Sequence, residues 1–77
     1  DVNGRVAHLL LRMADDESGD RITRKLTHHT IAQMIGSSRE TVSRTMRNLV
    51  DRGIIDVTRR EITLKDRRSL MMAVRRS

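Results

Sequence analysis

The 77-residue chain has no cysteine, no proline and no aromatic residue, and only four glycines. Without cysteine, neither a disulfide framework nor a thiolate zinc site can hold so short a chain together, and the sequence is compatible with a reducing, cytoplasmic compartment. Without Phe, Tyr or Trp it lacks the stacking platforms on which single-strand binders usually rely, so a duplex is the better nucleic-acid target. The core has to be built from Leu, Ile, Val, Met and Ala, which suits a compact, mostly helical domain. Long apolar runs are missing as well. The longest at the N-terminal end is Leu9 to Leu11, too short for a signal peptide or a membrane span. A chain of this length buries only about 60% of its unfolded surface, so residues 1–77 have room for one domain.

What is present in excess is positive charge, and it is unevenly spread. The net charge is +6, yet Asp1 to Asp20 carries two arginines against five acids, while Arg21 to Ser77 carries fourteen Lys or Arg against five acids. The basic portion points to a polyanion. Fourteen of the sixteen cations are arginine, whose planar fork suits phosphate and guanine edges better than a lysine point charge does.

Periodicity divides the chain. Val2, Val6, Leu9, Leu10 and Met13 share one face of a helix capped by Asp1. Asp15 to Asp20 has no apolar residue and reads as a solvated acidic loop, and part of Arg21 to Leu26 as a strand. Thr27 caps a short helix that turns Ile31, Ala32 and Ile35 inward and ends at Gly36, since glycine tolerates the left-handed conformation of a tight turn. Ser37 or Ser38 caps a third helix, with Ser37 and Glu40 spaced as a capping box and Val42, Met46, Leu49 and Val50 as its buried stripe, up to Gly53. Ile54–Val57 and Glu61–Leu64 are β-type runs separated by Thr58, Arg59 and Arg60, a hairpin with a basic tip. Asp66 caps a last helix that buries Leu70, Met71 and Val74. The resulting fold class is mainly α with a small β-hairpin, a winged helix-turn-helix.

Two helices that cross closely need a small residue at the crossing, a glycine four residues on, and an apolar residue six beyond that; Ala32, Gly36 and Val42 fit. With Val42, Met46 and Leu49 inward, Arg39, Glu40, Ser43, Arg44 and Arg47 fall on the outer face of the third helix. There arginine can donate two hydrogen bonds to guanine O6 and N7, and glutamate can accept from cytosine N4. On charge alone the same residues are equally a solvated face, with a Glu40–Arg44 pair contributing about 0.2–0.5 kcal/mol. The glycine turn, serine cap and basic hairpin occurring together favour DNA.

The stretch "LTHHTIAQMIGSSRETVSRTMRNL" resembles the DNA-binding motif of the Crp/Fnr family, and "DVNGRVAHLLL" the helix that follows that family's interdomain hinge. The resemblance covers nearly the whole chain and implies sequence-specific binding of duplex DNA, with a helix from about Ser38 to Val50 reading the major groove. In "SRETVSR", Arg39, Glu40 and Arg44 match the family's base-reading arginine, glutamate and arginine, and Ser38 and Thr41 match phosphate contacts. Ser43 suits the E-x-x-S-R pattern of the FNR-like branch, so the motifs of two branches are satisfied at once. Thr27, His28, Arg47, Arg59 and Arg60 complete the candidate phosphate contacts. Thr45 departs from a commonly bulky apolar residue, and Arg60 and Glu61 stand where the wing often has glycine.

The resemblance further implies a longer bacterial transcription regulator. It would bind a pseudo-palindromic operator as a homodimer, through a dimerisation helix and an N-terminal sensor domain that takes a cyclic nucleotide or another effector. The acidic stretch Asp15–Asp20 corresponds to a surface that meets RNA polymerase. A chain opening at Asp1 suggests a fragment, expected to be monomeric and to hold no cofactor of its own. The alternative to a DNA reader is a winged helix used as a protein-interaction module. Adjacent His28 and His29 point about 100° apart, His8 is distant, and the chain has no H-E-x-x-H pattern, so they make no metal site. Ser37, Ser38 and Ser43 lack a placed histidine base or an oxyanion site, so no enzyme is expected. Met34, Met46, Met71 and Met72 are expected to fill the core.

Overall fold

The first helix, α1 (Val2–Asp16), begins where the Asp1 carboxylate accepts the Gly4 N–H at 2.8 Å, which satisfies one of the amides a helix start leaves open. The computed structural model describes residues 1–76. Val6, Leu9, Leu10 and Met13 are buried as their spacing predicts, and Gly4, Ala7 and Ala14 join them. Helix α4 (Arg67–Arg76) packs along α1. Asp66 caps α4, accepting the Ser69 N–H at 3.1 Å and the Ser69 hydroxyl at 2.7 Å.

The acidic stretch differs from a free loop. Asp15 and Asp16 belong to the last turn of α1, and the chain leaves it through Ser18 at φ 60°, with the Gly19 N–H returning to the Ala14 carbonyl at 3.2 Å. The Glu17 carboxylate then accepts from the Thr23 N–H (2.9 Å), the Thr23 hydroxyl (2.6 Å) and the Arg24 N–H (3.2 Å). Arg67 reaches across from α4 to Asp15 at 3.0 Å, to Asp20 and to the Gly19 carbonyl at 2.8 Å. The stretch is a hydrogen-bonded corner that fastens the start of α4 to the end of α1.

The Thr23 hydroxyl, followed by the Arg24 amide, holds Glu17 below its ordinary 4.5, and the Ser69 hydroxyl and amide hold Asp66 below its ordinary 3.8. A carboxylate depressed by folding stabilises the native state fully above its unfolded value and loses that contribution as pH falls through the lowered one. The double variant Glu17→Gln/Asp66→Asn is therefore expected to melt below the natural chain at neutral pH. That gap should close in the acid range below 4.5. A gap independent of pH in a melting series would show that neither carboxylate is stabilised as a charge.

Strands β1 (Arg21–Ile22), β2 (Ile55–Thr58) and β3 (Glu61–Leu64) form an antiparallel sheet in the order β1-β3-β2, with Ile22 opposite Ile62 and Val57 opposite Ile62 on its other side. Thr58 lies within β2, opposite Glu61, so the hairpin turn consists of Arg59 and Arg60 alone. Ile22, Ile55, Ile62 and Leu64 bring the sheet into the same core as α1.

Helix α2 (His28–Ile35) is capped by Thr27, whose Oγ1 accepts the Thr30 N–H at 3.0 Å. It closes at Gly36 (φ 70°, ψ 45°), where the Ala32 carbonyl accepts from both the Gly36 and the Ser37 N–H, the latter at 2.9 Å. Helix α3 (Arg39–Asp51) starts at once with Ser38, not Ser37, as its cap; Ser38 Oγ accepts the Thr41 N–H at 3.2 Å, so no Ser37–Glu40 capping box forms. Ala32 and Val42 are buried at the crossing. Nothing lies within 4 Å of where a Cβ on Gly36 would sit, so a side chain there costs conformation rather than space. Gly36→Val is expected to destabilise the fold by about 1–2 kcal/mol or more, the price of the left-handed region for a β-branched residue. An unchanged melting temperature would refute the left-handed turn.

Four apolar expectations fail. Val50 is 38% exposed, and Met71 is 51% exposed on α4. Met34 and Met72 are exposed too, so of the four methionines expected inside only Met46 is buried; Met13 is buried besides. On α4 the inward stripe is the buried Leu70 with the partly buried Ala73 and Val74, and Met71 and Met72 lie off it. Thr45, the polar departure, is buried in α3.

Candidate nucleic-acid interface

The outer face of α3 follows from its cap and its buried stripe. Val42, Met46 and Leu49 fix the rotation of the helix, which leaves Arg39, Glu40, Arg44 and Arg47 exposed and Ser43 half-buried. At the first turn the Ser38 hydroxyl also donates to Thr41 Oγ1 at 2.8 Å, and Arg44 Nη2 makes a long 3.5 Å contact with the same oxygen. The three polar side chains are thus ordered as one row along the helix start, where a helix terminus favours an anion.

Glu40 is not paired with Arg44. Among the described residues it makes no side-chain hydrogen bond or ion pair, and neither do Arg39, Arg47, Arg59 or Arg60. Apart from Arg44 with Thr41, cations with partners lie elsewhere, among them Arg67 at the corner, Arg21 beside Glu61 at 3.6 Å, and Arg5 capping α2 through the Ile35 carbonyl at 2.7 Å. The outer face of α3 thus keeps two unpaired arginines, Arg39 and Arg47, and the unpaired Glu40, with Arg59 and Arg60 unpaired on the hairpin.

The start of α2 and the hairpin flank that face. His28, Ser43, Arg44 and Arg47 line one side of a groove whose floor includes Met46 and Val57, and His28 with Thr27, Lys25 and Arg60 lines its continuation. Arg39, Glu40 and Ser38 stand at the N-terminal end of α3, and Arg59 at the hairpin tip, outside the groove. Lys25 was not singled out in the sequence; its place in the basic stretch before the Thr27 cap was the only available signal.

His28 Nδ1 lies 2.8 Å from Ser43 Oγ. This corrects the expectation that no serine of the motif has a histidine beside it, since fifteen residues of sequence separate the two. The pair still lacks the parts of a nucleophile: Ser43 sits inside α3, where the backbone amides are committed to the helix, so no oxyanion donors face it. Among the described residues no group of three His, Asp or Glu could hold a metal ion, and no helix is long and apolar enough to cross a membrane.

Residues 4–73 match the model of the Crp-like helix-turn-helix domain. The chain belongs to that family. Membership implies DNA binding, and the arrangement of α2, α3 and hairpin is its winged helix-turn-helix. The Crp-like domain is 38% identical over 80 aligned positions to a CRP-like cAMP-activated global transcriptional regulator of Mycobacterium tuberculosis, covering 97% of this chain and 36% of that protein. It is 39% identical over 59 positions to the cAMP-activated global transcriptional regulator CRP of Escherichia coli O157:H7, covering 71% of this chain and 28% of that protein. Among solved structures, a putative transcriptional regulator of the crp/fnr family from Eubacterium rectale superposes with a TM-score of 0.86 at 33% identity, over 97% of this chain and 34% of the other. The CO-dependent transcription factor CooA of Carboxydothermus hydrogenoformans gives 0.84 at 30%, over 96% of this chain and 37% of that one. The Crp-like domain thus spans about a third of the length of these relatives, which are bacterial transcription regulators and not enzymes.

Proposed function

We propose that this chain is the sequence-specific DNA reader of a bacterial transcription regulator, with α3 in the major groove and the hairpin over flanking phosphates. Arg39, Glu40, Ser43 and Arg44 are the base-reading residues; Thr27, His28, Ser38, Thr41, Arg47, Arg59 and Arg60 contact phosphate. The observation that carries this reading is the free Glu40 among free arginines on the outer face of a capped second helix. A carboxylate repels a polyanion, so its presence there fits acceptance of a hydrogen bond from a base amino group rather than phosphate binding.

In the longer protein, a homodimer would place two copies of α3 on a pseudo-palindromic operator, one helical turn apart. Because its relatives include regulators described as cAMP-activated, a cyclic nucleotide is the first effector to test. The corner at Asp15–Asp20 is a candidate contact for RNA polymerase. Its Asp15 and Asp20 are engaged by Arg67, so replacing the corner should cost stability as well as any activation.

The test is a salt titration on duplex DNA. With Arg47, Arg59 and Arg60 on phosphates, log K is expected to fall against log salt with a slope of roughly −3 for a single domain, and more steeply for a dimer. A complex with protein that ignores salt, together with no affinity for duplex, would instead establish a protein-interaction module.

A further inference from the structure

The His28–Ser43 hydrogen bond joins a residue placed toward the DNA backbone to one placed toward the bases, and its direction has a consequence for what Ser43 reads. A serine hydroxyl has one proton and two lone pairs. If Nδ1 of His28 is unprotonated, the Ser43 hydroxyl donates to the ring across the 2.8 Å contact, and only lone pairs are left for the groove. If Nδ1 carries a proton, the ring donates to Ser43 and the hydroxyl proton is free. In the first state Ser43 can only accept, from cytosine N4 or adenine N6; in the second it can donate, to guanine O6 or N7, thymine O4 or adenine N7.

We propose that His28 is a specificity-determining residue that sets the hydrogen-bond polarity of Ser43. The inference rests on the reading of α3 as the major-groove helix. Which imidazole nitrogen holds the proton is set by what the other one bonds. Nε2 has no partner among the described residues, and His28 stands at the first turn of α2, in the continuation of the groove that Arg44 and Arg47 line. An Nε2–H donating to a DNA phosphate leaves Nδ1 as the acceptor, turns the Ser43 proton inward and selects a base that presents an amino group. A charged imidazole donates from both nitrogens and reverses that selection.

The charged groups that share the groove with His28 are Arg44, Arg47 and Asp51 of α3, Lys25 ahead of α2 and Arg60 of the hairpin. All but Asp51 are cations that keep their charge across the range in which imidazole titrates, about pH 5 to 8. A change of base preference within that range therefore reports the histidine. His8 and His29 are exposed and line neither part of the groove.

The experiment takes this chain and a half-site duplex defined by selection from randomised DNA, and titrates every single-base-pair substitution at fixed salt, near pH 8 and near pH 5.5, the two sides of the imidazole range. At the base pair read by Ser43, preference is expected to move from an amino-bearing to an acceptor-bearing base on acidification, by about two- to tenfold, the worth of one hydrogen bond. His28→Leu should flatten preference at that base pair and make it indifferent to pH. His28→Asn, which keeps a hydrogen-bonding atom near the Nδ1 position, should restore a preference that no longer responds to pH. Ser43→Ala should abolish both. In the free protein, the ¹⁵N shifts of the His28 ring should change on Ser43→Ala, which reads the bond without DNA and with the melting temperature as a check on folding. A His28→Leu profile identical to the natural one, while Arg44→Ala alters its own base pair, overturns the polarity inference alone. If Arg44→Ala also leaves every base pair unchanged, the major-groove reading fails and the inference falls with it.

Discussion

Replacing Arg59 with Asn and Arg60 with Gly is expected to make the protein more stable and a weaker DNA binder at the same time. The two residues form the whole turn between β2 and β3, at φ 51° and 69°. A two-residue hairpin with both φ values positive is the turn that favours Asn-Gly, because its twist matches the strands. An L-residue with a full side chain pays roughly 1–2 kcal/mol in the left-handed region. Relieving both positions should raise stability by about 1–3 kcal/mol, which for a domain of this size is a melting temperature several degrees higher. Strain held at a particular place is a reason to look for function there. Among the described residues neither arginine pairs with anything, and Arg60 lines the groove beside His28. Removing two phosphate-directed cations should lower the salt slope by about 2 and the affinity by roughly ten- to hundredfold near 0.1 M salt. A melting temperature that does not rise would contradict the turn geometry, and undiminished affinity would remove the hairpin tip from the interface.

Glu40→Ala is expected to change which sequence is bound more than how tightly DNA is bound. In a dimeric parent, the preference at one G·C pair per half-site should drop by roughly 1–3 kcal/mol while non-specific affinity holds or improves, because a carboxylate is removed from a cationic face. Arg44→Ala should weaken both. Three bland roles for Glu40 predict otherwise. A capping box with Ser37 and an ion pair with Arg44 are both absent from the structure, since Ser38 is the cap and Arg44 turns to Thr41. What remains is the favourable placement of an acid in the first turn of α3, worth about 0.3–1 kcal/mol of stability. A titration against single-substituted half-sites separates the outcomes: an unaltered preference profile with a small loss of stability would leave Glu40 as a helix-dipole residue only.

The sequence by itself determined the features whose causes lie within a few residues. Asp1, Thr27 and Asp66 could be named as caps because a cap bonds an amide two or three positions on. Gly36 could be named as the turn, and Ala32 and Val42 as the crossing, because their spacing is set by the geometry of two short helices. The outer face of α3 followed from the positions of Val42, Met46 and Leu49, since a helix that buries one face must expose the opposite one. The same locality explains the choice left open between Ser37 and Ser38: both can cap, and only the exit angle from Gly36 selects Ser38.

The tertiary structure decided what depends on where one element stops against another. Val50 stands on the inward stripe of α3 and is still 38% exposed, because periodicity fixes direction around an axis but not what covers it, while Met71 lies off the α4 stripe that Leu70, Ala73 and Val74 form once α4 lies along α1. The acidic stretch reads as solvated from composition, whereas Arg67, 47 residues beyond Asp20, converts it into a corner once α4 lies along α1. His28 and Ser43 look unrelated in a list of letters, fifteen positions apart on different helices, and they become a bonded pair only because the crossing at Ala32 and Val42 brings the first turn of α2 against the middle of α3. A hydrogen bond needs its two atoms within about 3 Å, and for residues on separate helices that distance is set by the packing of the core between them.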